Sequence, residues 1–258
     1  MAMGRWMAGP TFGGWLLLAS AAAAGPAEDV ARGDDLYAHG QLTDARGAYQ
    51  AALAAEPGSF EALCRLARVE SELGEDSSGE TQRQLIASAV EHARAAVKSA
   101  PDSAAGHVWL AVALGRQALK EGPKTQLALS REIKSEVDRG IAIDPRIGRA
   151  YHVRALWNRK LATLNLIERA VANTVLGGVP KGASMENAVR DLQKAVELEP
   201  DYLNHHLELG RTYLMLKNHA DARRELEKAV ALPPTSSARD TKYQAEAKEL
   251  LGKLPKQG

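Results

Sequence analysis

Five prolines divide this chain into a series of similar units. Each proline closes a similar apolar phrase, and a small residue stands five places before it. The pairs are Ala52 and Pro57, Ala96 and Pro101, Gly140 and Pro145, Ala195 and Pro200, and Ala229 and Pro234. Ten places after four of these prolines a second small residue recurs, at Ala67, Ala111, Ala155 and Gly210. Such a repeat indicates stacked supersecondary units, because a single unit cannot bury its own hydrophobic face.

The interval from Pro200 to Pro234 resembles the tetratricopeptide (TPR) repeat. The TPR period is 34 residues, and its pattern L-G-x2-Y…A-x3-F…P is matched here by Leu209-Gly210, Tyr213, Ala222, Leu226 and Pro234, with leucine for phenylalanine. The resemblance implies two antiparallel helices per unit, which we call A and B. We expect Gly210 on helix A to contact Ala222 on helix B, because small residues let paired helices approach closely. The proline fits just after helix B, since it lacks an N–H group and clashes with the preceding turn.

The same pattern extends over most of the chain. The first unit has Gly33, Ala45, Tyr49, Ala52 and Pro57 at matching spacings. The middle three units are longer than a TPR unit by about 10, 10 and 21 residues, and their apolar helix A segments are 60–73, 108–119 and 151–164. We therefore place the extra residues between helices A and B. The sequence predicts an all-α fold, a TPR-like helical-hairpin solenoid of about five repeats over 26–258, with a C-terminal capping helix over 237–254.

The first 24 residues have the composition of a signal peptide. Arg5 precedes an apolar run over 14–24, and Ala22-Ala23-Ala24 stands before Gly25-Pro26 as an A-x-A cleavage site would. The alternative is an uncleaved membrane anchor, although Pro10 and the glycines around it leave only a short apolar core for a span. We expect a periplasmic or secreted protein with no stable membrane insertion after signal cleavage.

Charge and chemistry-bearing residues weigh against several classes of function. Removal of residues 1–24 takes away one of the 33 basic residues and none of the 32 acidic ones, so the net charge gives no case for nucleic acid or acidic lipid as a bulk partner. The histidines form neither H-E-x-x-H nor a Cys/His cluster, and no P-loop is present. Cys64 lies alone in an apolar segment, and we interpret it as a buried hydrophobe. We expect no catalytic residue, no metal and no cofactor.

The C-terminal third resembles one family in particular. Leu176-Gly177-Gly178-Val179-Pro180, then Ala188, Leu192 and Ala195, and after Pro200 the run Asn204-His205-His206-Leu207-Glu208-Leu209-Gly210, stand in the order typical of the regulator of microtubule dynamics family and its bacterial relatives. Because the shared motifs are mostly structural, the resemblance implies the TPR-like fold rather than an activity. Animal members are associated with microtubules or organelle membranes. The alanine- and arginine-rich composition with an export signal is typical of a bacterial protein, in which a microtubule role has no substrate.

Groove positions follow from the repeat register. The concave surface of a TPR solenoid is lined by helices A, and its groove positions lie six and three places before the small helix A residue and one and four places after it. In the third repeat these offsets give Ala105, Val108, Val112 and Gly115; elsewhere the polar candidates are Arg68, Arg149, His152, Arg159, Asn204 and Arg211. We expect a non-enzymatic protein–protein interaction module whose arginines favour an acidic segment or C-terminal carboxylate of a protein or peptide partner.

The sequence is also consistent with other interpretations of the groove residues and of the function. Each groove arginine is equally consistent with ordinary solvated surface, and His152 with a structural histidine. The chain is also consistent with an accessory subunit of a cell-envelope assembly that contacts its partners through the insertions or the convex face. An enzyme with an unrecognised site is the third class, against which the lack of an acid/base or nucleophile constellation weighs.

Overall fold

The computed structural model describes residues 25–175, 178–234 and 239–255. The interpreted signal peptide (1–24), Gly177 and the start of the expected capping segment at 237 lie outside these residues. The described residues form twelve α-helices: α1 (Pro26–Ala38), α2 (Leu42–Ala55), α3 (Phe60–Asp76), α4 (Gly79–Ser99), α5 (Ala104–Ala118), α6 (Pro123–Ile143), α7 (Gly148–Ala162), α8 (Leu166–Val175), α9 (Met185–Leu198), α10 (Leu203–Met215), α11 (His219–Ala231) and α12 (Asp240–Lys253).

The helices pack as five consecutive A–B hairpins. The paired helices are α1 with α2, α3 with α4, α5 with α6, α7 with α9 and α10 with α11, and each hairpin packs against the next. The predicted all-α, TPR-like solenoid of five repeats is therefore confirmed. In the part of the chain that the structure describes, no helix is both long and apolar enough to cross a membrane.

The recurring proline marks the end of helix B. In the first four units the residue before it donates its backbone N–H to the carbonyl of the recurring small residue, as in Glu56 to Ala52 and Glu199 to Ala195, both at 2.9 Å. The chain then turns: Ser59 N–H reaches the Glu56 carbonyl at 3.0 Å across Pro57. Because proline has no N–H, the helix cannot continue through it. The repeated small residue is thus both the last hydrogen-bonded step of helix B and a fully buried contact.

Helices A and B touch where the sequence places small residues. A Cβ atom on Gly210 would lie 2.7 Å from Leu226 Cγ and 3.4 Å from the Ala222 carbonyl oxygen, and one on Gly33 would lie 2.4 Å from Tyr49 Cε1. The distances to Leu226 and Tyr49 are shorter than van der Waals contact, so only glycine fits at either position without rearrangement. The predicted contact between Gly210 and the Ala222 turn is confirmed.

The expansions take two forms that the sequence did not distinguish. In the second repeat the extra residues lengthen the helices: α3 has 17 residues and α4 has 21, compared with 13 each in α10 and α11. The third repeat is lengthened in the same way, mainly in α6. In the fourth repeat a separate helix, α8, lies between the A and B helices. Helix α9 is then capped by Ser184, whose hydroxyl oxygen accepts the Asn187 backbone N–H at 3.1 Å.

The predicted capping helix is present as α12. Its Ala247 packs with Leu203 and Leu226, so α12 covers apolar surface of the last hairpin that would otherwise face water. Arg211 Nη2 on α10 also donates to Glu246 Oε2 on α12 at 2.6 Å.

We expect Gly210→Leu to lower the free energy of unfolding by about 1–3 kcal/mol, because the new side chain overpacks the contact with Leu226. Gly47→Leu is the matched control, since nothing lies within 4 Å of its Cβ position on α2. Removal of a helical glycine should leave this control as stable as the parent chain or slightly more stable. Urea unfolding midpoints measure both, and equal midpoints for the two variants would contradict the register of the last hairpin.

Candidate functional site

Arg149, at the start of α7, is held between two aromatic rings. Its guanidinium carbon lies 4.9 Å from the ring centroid of Trp109 on α5 and 5.0 Å from that of Tyr202, the residue before α10. Its backbone N–H donates to Glu199 Oε1 at 3.1 Å. Both rings favour the cation electrostatically. Among the described residues no carboxylate forms an ion pair with this guanidinium. Burial opposes its charge, but Tyr202 and Glu199 outweigh that effect and raise the pKa of Arg149.

A recess of about 220 Å³ adjoins Arg149. This volume is below the roughly 300–1,000 Å³ of small-molecule sites, and it suits a single side chain of a partner. Two of its lining residues, Ala105 and Val108, are groove positions predicted for the third repeat. The lining combines apolar walls with one cation and one carboxylate: Ala105, Val108, Trp109, Ile147, Arg149 and Glu199.

Arg68 on α3 lies at a second aromatic contact in the groove. Its guanidinium carbon is 3.6 Å from the ring centroid of Tyr37, and its nearest carboxylate, Asp34, is 3.9 Å away. The Tyr37 hydroxyl donates to Glu72 Oε1 at 2.7 Å. Burial, and then the Glu72 carboxylate, raise the pKa of Tyr37, so this hydroxyl stays protonated as a donor.

Groups of the early and late repeats act on one another across the concave surface. Burial is the main reason that the pKa of Glu72 in the second repeat is raised, and the charge of Arg149 in the fourth repeat opposes that shift. Burial likewise dominates the raised pKa of Tyr37 in the first repeat, to which Tyr202 before the fifth repeat adds a small contribution.

Arg159 and Arg211 are bound within the protein itself. Arg159 Nη2 donates to Glu208 Oε2 at 2.5 Å and its Nη1 to Thr212 Oγ1 at 3.0 Å. Arg211 pairs with the other oxygen of Glu208 and with Glu246. Glu208 is only 6% exposed, and its two arginine partners compensate for that burial. A change of either arginine to Glu would place like charges against Glu208, so these two side chains support the groove wall instead of offering free positive charge.

His152 belongs to a buried hydrogen-bonded chain. Its Nδ1 lies 2.9 Å from His205 Nδ1, and His205 Nε2 lies 3.2 Å from Glu199 Oε2. A carboxylate only accepts, so His205 donates from Nε2 and its Nδ1 accepts the Nδ1–H of His152. The other oxygen of Glu199 accepts the Arg149 backbone N–H. The hydrogen-bonded pair of His152 and His205 thus joins α7 to α10 directly beneath the Arg149 recess.

The pKa values of this chain follow from burial and neighbouring charge. Burial, followed by His205 and Arg149, lowers the pKa of His152 well below its usual 6.5. Burial also lowers the pKa of His205, although the bond to Glu199 opposes the shift. For Glu199 burial opposes ionisation, but the His205 hydrogen bond and the charge of Arg149 outweigh it and lower the pKa. Two neutral imidazoles and one carboxylate are therefore the folded-state species near neutral pH.

The remaining groove positions are less distinctive. Asn204 is half-buried, and its Oδ1 is buried without a hydrogen-bond partner among the described residues. Val112 and Gly115 are half-buried on α5.

Cys64 is 5% exposed, and burial raises its pKa to about 12, as expected for a buried hydrophobe. The described residues contain no group of three or more His, Cys, Asp or Glu side chains that could hold a metal ion.

The start of α12 covers part of the concave surface. Arg239 is 3% exposed, and its Nη1 donates to Glu75 Oε2 at the end of α3 at 2.5 Å. Lys242 Nζ donates to the neighbouring Asp76 at 2.9 Å, and Arg116 on α5 also pairs with Glu75. Ion pairs thereby join the second repeat to the capping helix, and Arg116 of the third repeat shares Glu75 with Arg239. The chain itself occupies this part of the groove.

Several functional side chains were missed by the sequence reasoning. Tyr37 and Asp34 stand four places and one place after Gly33, so the groove offsets applied to the first repeat would have found them. Trp109 and Tyr202 lie off those offsets, because they flank the groove positions instead of pointing along them. Nothing in the sequence distinguishes Glu199, since an acidic residue is common at the end of a helix next to a proline.

The family model for regulator of microtubule dynamics protein 1-3 matches residues 29–255. The chain belongs to this family. It is 30% identical over 228 residues to regulator of microtubule dynamics protein 1 of Mus musculus, covering 87% of this chain and 73% of that protein. It is 31% identical to protein 3 of Rattus norvegicus, covering 74% of this chain but only 41% of the relative. The suspected family is thus confirmed.

A solved structure agrees with the fold. The crystal structure of a thermophilic TPR protein from Thermus thermophilus superposes with a TM-score of 0.68, covering 88% of this chain and 98% of the other, at 21% sequence identity. At that identity the likeness establishes the TPR fold and leaves the ligand to be argued from the groove itself.

We expect stability to fall as pH falls below about 6.5, because the folded state keeps His152 and His205 neutral while the unfolded chain protonates them. Each histidine contributes a slope of up to about 1.4 kcal/mol per pH unit between its unfolded and its lower folded pKa. Unfolding by urea at pH 7.5, 6.5 and 5.5 measures this slope.

His152→Asn should flatten that slope, since the amide can still donate to His205 but does not titrate. His39→Asn is the control, because His39 is exposed at the end of α1 and lies outside the buried chain. If the His152→Asn variant and the parent chain lost stability equally between pH 7.5 and 5.5, the assignment of His152 and His205 as a buried neutral pair would be wrong.

Proposed function

We propose that this protein is an exported, non-enzymatic interaction module that binds a short segment of a protein partner in its concave groove. The observation that carries the proposal is Arg149, whose guanidinium is fixed between Trp109 and Tyr202 beside a recess of side-chain size. Membership of a TPR-like family supports it, because stacked hairpins present a concave surface for extended partners. No step of chemistry is assigned to the groove.

The chemistry of the recess favours a carboxylate next to an apolar side chain. An arginine guanidinium presents parallel N–H donors, and a carboxylate accepts two of them in a charge-assisted pair. The apolar walls at Ala105, Val108 and Ile147 suit an adjoining aliphatic or aromatic group. A C-terminal residue supplies both features at once, and an acidic side chain beside an apolar one is equivalent. Arg68 at the Tyr37 ring offers a second cation along the same groove.

A second candidate function is favoured by α8. This inserted helix presents Leu166 and Ile167 to solvent, at 85% and 76% exposure. An accessory subunit of a larger assembly would use such an insertion for contact while the groove stays internal. The two functions are separable, because α8 and Arg149 are different surfaces.

Replacement of Arg149 tests the groove proposal. A displayed library of random C-terminal heptapeptides is selected against the parent chain, and the selected peptides are made with free and with amidated C-termini. We expect Arg149→Glu to weaken binding of the free-carboxylate peptides by about 1–3 kcal/mol, roughly tenfold or more, and amidation to have a similar effect. Arg149→Lys should be intermediate, because it keeps the charge and loses the planar fork.

Arg146→Glu is the matched control for net charge. Its side chain is 85% exposed in the preceding turn and lies outside the recess. Measurements at two salt concentrations separate local contact from bulk attraction. If the peptides bound the Arg149→Glu variant as tightly as the Arg146→Glu variant, the groove proposal would be wrong. Contact through α8 would then be the favoured function.

Export is tested at the N-terminus. Because an apolar run ends in small residues at Ala24, we expect protein isolated from its native host to begin near Gly25. N-terminal sequencing that began at Met1 or Ala2 would instead favour a retained anchor.

A further inference from the structure

The exposed large hydrophobic side chains of the described residues share one location. All of them lie where helix A leads into helix B in the third, fourth and fifth repeats. They are Leu119 (62% exposed), Leu166 (85%), Ile167 (76%), Met215 (51%) and Leu216 (43%). Successive hairpins of a solenoid place these connections side by side, so the five side chains lie along one edge, which we call the A–B edge. Large apolar side chains gathered at one edge mark an interaction surface.

Lysines flank these side chains. Five exposed lysines lie in these connections or in the adjoining helix ends: Lys120, Lys124, Lys160, Lys181 and Lys217. The lysines that form ion pairs in the described residues are others, namely Lys134, Lys194, Lys242 and Lys253. The connections of the first two repeats, at 39–41 and 77–78, contain no lysine. Two acidic residues, Glu121 and Glu168, also lie in the connections of repeats three to five, so the five lysines leave an excess of positive charge beside the apolar side chains.

We propose that the A–B edge of repeats three to five docks on an anionic bilayer surface. Apolar side chains at separate turn tips enter the headgroup region singly and need no complementary pocket, while adjacent lysines meet lipid phosphates. The binding is peripheral, because it uses turn tips and the short helix α8. The chain is near neutral in total, so the attraction depends on this one edge and fixes the orientation of the protein. The Arg149 recess takes no part in it.

Charge reversal at matched lysines tests the proposal. The full chain is sedimented with vesicles of phosphatidylcholine mixed with phosphatidylglycerol, and with vesicles of phosphatidylcholine alone. We expect Lys120→Glu, Lys160→Glu and Lys217→Glu combined to lower the partition onto the anionic vesicles by at least about tenfold. The control combines Lys98→Glu, Lys228→Glu and Lys248→Glu, which are exposed lysines away from the A–B edge and give the same net charge. It should keep most of the binding.

A local probe shows which surface touches the lipid. Cys64 is buried with its pKa raised to about 12, so a new exposed cysteine is labelled selectively at neutral pH. We expect an environment-sensitive dye on Leu166→Cys to shift to the blue on the anionic vesicles. The same dye on Ala54→Cys, exposed on α2, should not shift.

Three results would overturn the proposal. One is an equal loss of partition in both charge-reversal variants, which would mean that only net charge matters. Another is an unchanged dye at position 166 on bound protein, which would assign the contact to another part of the chain. The third is concentration-dependent self-association without vesicles that Leu166→Ser with Ile167→Ser abolishes, because the edge would then bind a second copy of this chain.

Discussion

The close approach of each helix A to its helix B is the constraint on which the rest of this structure depends. At Gly210 and Gly33 there is no room for even one additional carbon atom. In these two hairpins the contact fixes how closely helix A approaches helix B, and after helix B the proline turn leads to the next hairpin. Together they direct the A helices inward, which brings Arg149, Trp109 and Tyr202 from three different repeats to one point.

Local pattern was enough to predict the hairpins and the register. The small residues and prolines act within a few positions of one another, so their spacing carries the fold. The groove offsets include Arg149 and Val108, which line the recess. The roles of the side chains were harder to predict. Arg159 and Arg211 share Glu208 because α7, α10 and α12 meet, and a linear spacing does not encode which acid a given arginine reaches. The form of the expansions could not be predicted either, because lengthened helices and an inserted helix both appear in the sequence only as a longer interval between prolines.

The groove arginines divide into two kinds. Arg159 and Arg211 compensate a buried carboxylate and hold neighbouring helices together, whereas Arg149 and Arg68 rest on aromatic rings. An aromatic ring stabilises a cation without consuming all of its N–H donors, so it leaves recognition capacity that a carboxylate would remove. The buried histidine pair and Glu199 fix the floor beneath Arg149. In the proposed function, ligand recognition and structural support thus belong to different arginines.

The ion pair between Arg239 and Glu75 joins residues 164 positions apart. The stability of an open array of repeats comes from the interfaces between adjacent repeats, so the terminal repeats unfold more easily than the central ones. Here the terminal helix also contacts the second repeat, and the array becomes a closed loop. Loss of the last helix should therefore be felt near the beginning of the chain, and unfolding should be more cooperative than in an open array. The chain must also complete this long-range contact late, which adds loop-closure entropy to its folding barrier.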